Sequence, residues 1–296
     1  RSGSVAVACT RNPHQLMELQ PVSALLSRLD AKTQALAEPV LMPVRTAFFP
    51  GCLYLHDLAW IKGRLHGNAV AHNAIVRLDW DGSWERVWWP HCSERAGQPV
   101  FGQNHLQLNS IAAGKTLRDS FFSASTEVMT RLRPGHPAFP VDRRGVIFSG
   151  RSREPVCRGL TRPHSARLHR GSVWVDNSGY GELGFVSAGR LETVARLPGW
   201  TRGLCFCQDV AFVGVSRVLP RFRQYAPGLD VDRSVCGLFA VDAKRGTVLG
   251  SLSWPLGTQI FAVDWLPARV AGLPFGRRTG GDDASLFYAF DRKQYR

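Results

Sequence analysis

Short runs of apolar residues alternate with polar turns along most of the chain. In the stretch 160–204, runs such as Val173 to Val175 and Gly184 to Val186 are rich in β-branched and aromatic residues, and glycine-containing turns separate them. This alternation is typical of short antiparallel strands. The stretch therefore predicts one four-stranded antiparallel sheet, and the rest of the chain can be compared with it.

The same arrangement recurs. Each repeat begins with a short strand, continues through a polar turn and enters a second apolar strand. The starts lie about 40 to 60 residues apart, close to the ~40–50 residues of propeller repeats, and they fall at His56, His105, His164, Arg202 and the run Gln259 to Val263. The spacing predicts an all-β, single-domain β-propeller over residues 1–296. Counting the N-terminal strands and a strand at 285–291 gives six four-stranded antiparallel blades.

Three segments interrupt the strand pattern. Residues 21–37 have an apolar spacing closer to that of a helix, and they are predicted as a helical or irregular excursion between strands. Residues 126–145 and 267–283 are rich in Pro, Gly and Arg, and they are predicted as long surface loops.

Composition adds a strong positive charge. The chain has 37 basic residues, nearly all arginine, against 23 acidic ones, and a formal net charge of +14. Arginine suits carboxylate, phosphate or sulfate groups, so the expected partner is an anionic small molecule or an acidic macromolecule. The arginines are scattered and no nucleic-acid-binding motif accompanies them, which favours a basic solvated surface over nucleic-acid recognition.

Cysteine usage and hydropathy bear on the compartment. The seven cysteines include no Cys-x-x-Cys pair, which argues against a zinc ribbon and favours a reducing compartment such as the cytoplasm. The chain contains no apolar run of ~18 residues and no signal-peptide pattern at its start. The expectation is a soluble or already processed protein without a membrane span.

Several motifs are shared with a known family. They are the runs Arg162 to Arg167, Leu197 to Leu204 and Ala211 to Ser216, and the pair Cys236-Gly237. With similar elements around His56 and His105, they resemble the bacterial DUF4915 family of domains of unknown function, whose members often occur beside tetratricopeptide or sulfotransferase modules. The resemblance covers most of the chain and implies a propeller-like fold, without an established activity.

Two departures from the family pattern matter. The run Gln259 to Val263 replaces the family's usual Glu-Ile-Phe-Asp-Val, which removes two carboxylates. Family members begin with further strands before the one like Val5 to Cys9, which implies that the first blade of this chain is incomplete.

The repeat starts also carry the candidate chemistry. Innermost strands of a propeller begin near its central channel, so His56, His105, His164 and Arg202 are predicted around one opening. Three imidazoles suit a Zn, Fe or Cu ion with open coordination positions, unless they only bond buried backbone or water. Arg202 is a candidate clamp for an anionic group, or a structural arginine that bonds blade carbonyls.

Five further residues belong to this predicted opening. Asp57 and Asn104 are candidates to orient a histidine. Cys236 is a candidate nucleophile, although a lone cysteine at the start of a strand more often packs as a small residue. Ser165 follows His164 directly, so the two side chains of a regular strand point to opposite faces, which disfavours a serine-hydrolase pair. Gln259 is the remaining candidate at the channel.

Two functions fit these observations. One is a metal-dependent enzyme with a three-histidine centre, in which Arg202 holds an anionic substrate group. The alternative is a noncatalytic propeller that binds an acidic protein or polysaccharide through its arginine-rich surface. The sequence does not decide between them, and a divalent transition metal is the only cofactor that it implies.

Overall fold

The computed structural model describes residues 4–10, 14–21 and 41–266. Regular structure in these ranges is almost entirely antiparallel β-sheet, and the predicted β-propeller fold is confirmed. The chain divides into two compact units. One comprises Arg1–Val7, Leu16–Thr46 and Leu266–Arg296, and the other comprises Ala8–Gln15 and Ala47–Trp265.

The N-terminal strands form a three-stranded sheet in the order β1 (Val5–Ala8), β2 (Gln15–Pro21), β3 (Leu41–Phe48). Blade 1 consists of β4 (Leu55–Ile61), β5 (Arg64–Ala69), β6 (Ala74–Leu78) and β7 (Trp84–Trp88). A short hairpin of β8 (Glu94–Arg95) and β9 (Gln98–Pro99) follows. Blade 2 consists of β10 (Leu108–Ala112), β11 (Phe121–Ala124), β12 (Gly145–Ser149) and β13 (Pro155–Leu160).

Blade 3 consists of β14 (Pro163–His169), β15 (Ser172–Asn177), β16 (Glu182–Ser187) and β17 (Arg190–Arg196). Blade 4 consists of β18 (Trp200–Cys207), β19 (Val210–Ser216), β20 (Gly237–Asp242) and β21 (Val248–Ser253). Short 3-10 helices lie at Val70–His72, His91–Ser93, Leu117–Asp119, Ser178–Tyr180 and Pro220–Tyr225. No helix among the described residues has both the length and the apolar character needed to cross a membrane.

The prediction of six blades was wrong. The described residues form five sheets of the propeller type, namely blades 1 to 4 and the three-stranded N-terminal sheet. The run Gln259 to Val263, which was predicted to start a further blade, forms no strand of its own. It lies along blade 4 instead: the Ile260 N–H donates to Ser216 Oγ at 2.8 Å, and the Arg217 N–H donates to the Thr258 carbonyl at 2.9 Å. The predicted strand at 285–291 lies outside the described residues.

Apolar side chains from facing blades fill the space between them. Trp88 of blade 1 packs against Phe122 of blade 2, with ring centroids 4.2 Å apart. Trp174 of blade 3 shares a core cluster with Leu204 and Val213 of blade 4. Burial of each such side chain contributes about 1.5–3 kcal/mol, so packing between blades is a main source of stability.

A buried polar side chain of one blade also reaches the innermost strand of the next. Asn68 Nδ2 donates to the Leu108 carbonyl at 2.8 Å, and Asn109 Nδ2 donates to the Pro163 carbonyl at 3.0 Å. Ser178 Oγ donates to the Thr201 carbonyl at 2.6 Å. These bonds satisfy buried polar groups and fix the starts of β10, β14 and β18, where the candidate residues lie.

The predicted surface loop 126–145 contains no strand before Gly145, where β12 begins. Two of its side chains, Phe139 and Val141, are buried in a cluster with Trp200 and Tyr225. The loop therefore also packs against the start of β18. Residues 22–37 of the predicted helical excursion and the predicted loop 267–283 lie outside the described residues, and the single-domain organisation stays a prediction.

Candidate functional site

A strained turn precedes three of the four innermost strands of blades 1 to 4. Tyr54, Gln107 and Arg162 stand directly before β4, β10 and β14, with φ of 55°, 49° and 54°. Gly199 occupies the same place before β18, with φ of 154°. Positive φ is uncommon for residues other than glycine and often marks functional sites. The turns bring different blades together, because Gln107 Oε1 accepts a hydrogen bond from Arg162 Nη1 at 2.8 Å.

Two of the three predicted histidines lie side by side. His56 and His164 are the second residues of β4 and β14, and their nearly parallel rings have centroids 6.3 Å apart. His164 is buried. Burial, together with the nearby Arg202, His56 and Arg162, holds the pKa of His164 well below its usual range. His164 is therefore a neutral imidazole at pH 7, close to two arginines.

The third predicted histidine, His105, lies in the turn before β10. It precedes β10 by three residues, and its backbone N–H donates to Asn73 Oδ1 at 3.0 Å. Within the described ranges, no group of three or more His, Cys, Asp or Glu side chains is arranged to hold a metal ion. His56 and His164 could offer two imidazoles to one ion, and the three-histidine centre stays a prediction.

Arg202 is the third residue of β18 and lies between aromatic rings. Its guanidinium carbon is 4.3 Å from the ring centroid of Phe261 and 5.9 Å from that of Trp200. Burial, followed by the charge of Arg162, lowers the pKa of Arg202 to about 10. The side chain is therefore still a cation at pH 7.

Arg162 is a candidate residue that the sequence reasoning missed. It is 5% exposed, and Nη1 donates only to neutral acceptors: Gln107 Oε1 at 2.8 Å, the Pro134 carbonyl at 3.3 Å and Ser125 Oγ at 3.4 Å. Burial lowers its pKa to about 10. The signal that could have found it is its place directly before an innermost strand.

Arg162 and Arg202 have no carboxylate partner among the described residues, whereas Arg167 has one. Arg167 Nη1 and Nη2 lie 2.7 and 3.2 Å from the two carboxylate oxygens of Asp57. By contrast, Arg162 Nε, Arg202 Nε and Trp200 Nε1 are buried without a hydrogen-bond acceptor in the described part of the chain. We call Arg162, His164, Trp200 and Arg202 the arginine cluster. It offers positive charge and unused donors.

The other predicted residues have structural contacts. Asp57 accepts hydrogen bonds from Arg167 and from the Ile111 N–H at 2.9 Å, which ties β4 to its neighbours. Asn104 Oδ1 accepts from the Gln107 N–H at 2.9 Å. Ser165 Oγ accepts from the Gly203 N–H at 2.7 Å. These three side chains therefore organise the innermost strands around the arginine cluster.

Cys236 and Gln259 lie near Arg217 of blade 4. Burial raises the pKa of the Cys236 thiol, and Arg217 offsets only part of this effect. Because the thiolate is the nucleophilic form, Cys236 is not activated. Gln259 Nε2 donates to the carbonyls of Arg217 and Thr258, at 2.9 Å each, so it holds the segment after blade 4 in place.

One protein family accounts for most of the sequence. Residues 2–272 match the family described as Domain of unknown function (DUF4915). The chain belongs to this family. The resemblance of the motifs between Arg162 and Gly237 to DUF4915 is thereby confirmed. No curated protein shows significant similarity to the chain.

Several solved structures are similar to this DUF4915 chain at low identity. A crystal structure of the computationally designed Ika8 protein has 9% identity and a TM-score of 0.43, with 88% of this chain and 65% of that chain covered. The gluconolactonase XC5397 from Xanthomonas campestris has 16% identity and a TM-score of 0.47, with coverage of 83% and 74%. The nidogen/laminin complex has 11% identity and a TM-score of 0.45, with coverage of 88% and 96%. None of these similarities assigns a function to the chain.

Proposed function

We propose that this propeller binds an anionic small molecule through Arg162 and Arg202, at the starts of the innermost strands. The observation that carries the proposal is a pair of guanidinium groups, one on buried Arg162 and one on partly exposed Arg202, without a carboxylate partner among the described residues. The predicted role of Arg202 as an anion clamp is retained in this proposal, and Arg162 is added to it.

The energetic cost of leaving Arg162 and Arg202 without an opposite charge supports an anionic ligand as their partner. Placing one ionised group in a protein interior without an opposite charge costs several kcal/mol. Arg167 avoids this cost through Asp57, whereas the partners of Arg162 are a neutral amide, a hydroxyl and a carbonyl. Two uncompensated cations in one place are expected where an anion completes the site.

The exposure of the side chains supports a route for the ligand. Arg162 and Trp200 are only 5% and 3% exposed. Arg202, Tyr54 and His56 are partly exposed, and Phe261 is exposed. An anion arriving from solvent would meet Arg202 first, and Arg162 lies deeper.

The alternative of an acidic protein or polysaccharide on the arginine-rich surface has less support. Exposed arginines such as Arg158 and Arg196 already pair with Glu127 and Glu182, at 2.7 and 2.9 Å. An acidic polymer would have to compete with these carboxylates. Surface pairs of this kind are weak, whereas the two arginines of the cluster have no carboxylate partner among the described residues.

A metal-dependent reaction is a separate proposal with its own test. Elemental analysis of the purified protein would need to find near-stoichiometric Zn, Fe or Cu, and the His164→Ala variant would need to lose it. Binding of an anion by the arginine cluster does not depend on this outcome.

Calorimetric titration tests the proposed function. The full chain is titrated with inorganic phosphate, sulfate and acetate at low ionic strength, because salt screens exposed charges. We expect saturable binding of at least one anion, and at least tenfold weaker binding by Arg202→Gln. The matched control is Arg190→Gln, which changes an exposed arginine at the start of β17 and should leave the affinity unchanged. No saturable binding, or equal binding by Arg202→Gln, would overturn the proposal.

A further inference from the structure

We infer that the anionic group held by the arginine cluster is a phosphomonoester dianion rather than a carboxylate. This inference rests on the proposed anion binding and names the class of ligand. It follows from the number of charges and from the number of unused donors.

The first reason is the number of charges in the arginine cluster. Arg162 and Arg202 bring two positive charges, and no acidic side chain among the described residues pairs with either. A carboxylate or a sulfate ester carries one negative charge and would leave one of the two guanidinium groups without compensation. A phosphomonoester carries nearly two negative charges at neutral pH, so it balances both arginines.

The donors give an independent reason. Within the arginine cluster, the N–H groups without an acceptor among the described residues are Arg162 Nε, Trp200 Nε1 and Arg202 Nε. They come from two places in the fold, because Arg162 precedes β14 and the other two belong to β18. A phosphomonoester offers three terminal oxygens in a tetrahedral arrangement, whereas a carboxylate offers two in one plane. The three terminal oxygens of a phosphomonoester match these three donors in number, whereas the two oxygens of a carboxylate do not.

The open side of the cluster indicates where the rest of the ligand lies. Phe261 is 59% exposed and its ring faces the guanidinium of Arg202. Tyr54 is partly exposed and packs edge-on against His56, with ring centroids 4.7 Å apart. With the phosphate at the arginines, the organic part of the ester extends toward these rings.

Methyl phosphate and methyl sulfate have similar shapes but different charges, so a comparison of their affinities separates the effect of charge from that of geometry. Methyl phosphate is close to a dianion at pH 8 and mostly a monoanion at pH 5, because its second pKa is about 6. Methyl sulfate is tetrahedral as well and stays a monoanion over this range. Both are titrated into the full chain at pH 8 and pH 5, with acetate as the carboxylate probe. The methyl sulfate series also registers any titration of His56, His164, Tyr54 or Tyr225, which surround the two arginines.

At pH 8 we expect methyl phosphate to bind at least tenfold more tightly than methyl sulfate or acetate. At pH 5 this advantage should fall to threefold or less. Arg162→Gln should remove the preference, and Arg162→Lys, which keeps the charge, should retain most of it. If methyl sulfate or acetate binds the wild-type protein as tightly as methyl phosphate at pH 8, this inference is wrong while the proposed anion binding stands. If none of the three binds, both fail.

Discussion

The guanidinium of Arg167 donates hydrogen bonds to both carboxylate oxygens of Asp57, from Nη1 to Oδ2 at 2.7 Å and from Nη2 to Oδ1 at 3.2 Å. The pair joins β14 to β4, and the Ile111 N–H of the intervening β10 donates to the same carboxylate at 2.9 Å. Burial alone would lower the pKa of Arg167, but the nearby carboxylates, Asp57 first and then Asp264 and Asp176, together more than offset this effect, and the net shift is upward. One ion pair thus ties the innermost strands of three blades together.

Loss of Arg167 should therefore destabilise the fold strongly. Arg167→Met leaves Asp57 as a mostly buried carboxylate without its cation, which costs about 3 kcal/mol. Urea denaturation followed by tryptophan fluorescence measures the change. The double variant Asp57→Asn with Arg167→Met should lose less than the sum of the single losses, because it removes both charges. Additive losses would show that the pair has no coupling energy.

Loss of Arg202 should have the opposite effect on the protein without ligand. Because Arg202 has no carboxylate partner among the described residues, Arg202→Met removes an uncompensated cation and should raise the free energy of unfolding by about 1 kcal/mol. The same change should abolish stabilisation by added phosphate. A loss above 1 kcal/mol in the absence of ligand would assign Arg202 a structural role instead. Urea denaturation in an anion-poor buffer, with and without phosphate, measures both effects.

The strand repeat was predictable because it depends on local alternation of apolar and polar residues. Val173 to Val175 and Gly184 to Val186 are strands in the structure as predicted. The number of blades was not predictable in the same way. The run Gln259 to Val263 has the composition of a strand but bonds to Ser216 of blade 4, and only the tertiary structure determines such pairing.

The arginine cluster was only partly predictable. His164 and Arg202 were found from the repeat position, but Arg162 was not, because it lies in the turn before the strand and outside the alternation of apolar and polar residues. Each innermost strand of blades 1 to 4 also has a register shift near its start, for example between His164 and Arg167. Such bulges re-aim side chains, so counting along the strand does not tell which residues face the cluster.

Gly203 should resist substitution because of both its backbone and its neighbours. Its φ is 95°, and a Cβ atom there would lie 2.9 Å from the backbone nitrogen and from Cγ2 of Val263. Gly203→Ala should lower the free energy of unfolding by about 2 kcal/mol. It should also weaken anion binding, because the displaced segment carries Phe261, which faces Arg202.

Gly250→Ala is the matched control for this prediction. Gly250 lies on β21, and a Cβ atom there meets nothing within 4 Å. Urea denaturation and phosphate titration of both variants distinguish the local strain at Gly203 from a general effect of replacing glycine by alanine in a strand. Equal stability of the two variants would contradict the proposed contact with Val263.

Phe139 should couple the loop 126–145 to the arginine cluster. Its side chain is 6% exposed and belongs to the cluster of Trp200 and Tyr225, and Tyr225 lies 4.3 Å from the guanidinium carbon of Arg162. Phe139→Ala should cost about 3 kcal/mol in stability through the cavity that it leaves, and it should weaken phosphate binding. Exposed Val128 of the same loop supplies the control Val128→Ala, which should change neither quantity. Full phosphate affinity in Phe139→Ala would show that the loop does not support the cluster.

Asp176 should make stability fall as the pH rises. It is completely buried on β15. Burial raises the pKa of Asp176 well above its usual range, and Ser165 and Arg167 offset only part of this. The folded protein therefore keeps a proton that the unfolded chain releases above about pH 4. From there up to the folded pKa, stability should decline by about 1 kcal/mol per pH unit through this group.

Asp176→Asn should remove this decline, because an amide of the same shape does not ionise. Urea denaturation of the variant and the wild type at pH 5, 6, 7 and 8 should show a difference that grows with pH in favour of the variant. Asp230→Asn, which changes an aspartate with 63% side-chain exposure, should follow the wild type. Parallel stability curves for Asp176→Asn and the wild type would mean that Asp176 is ionised in the folded protein, with Arg167 shared between it and Asp57.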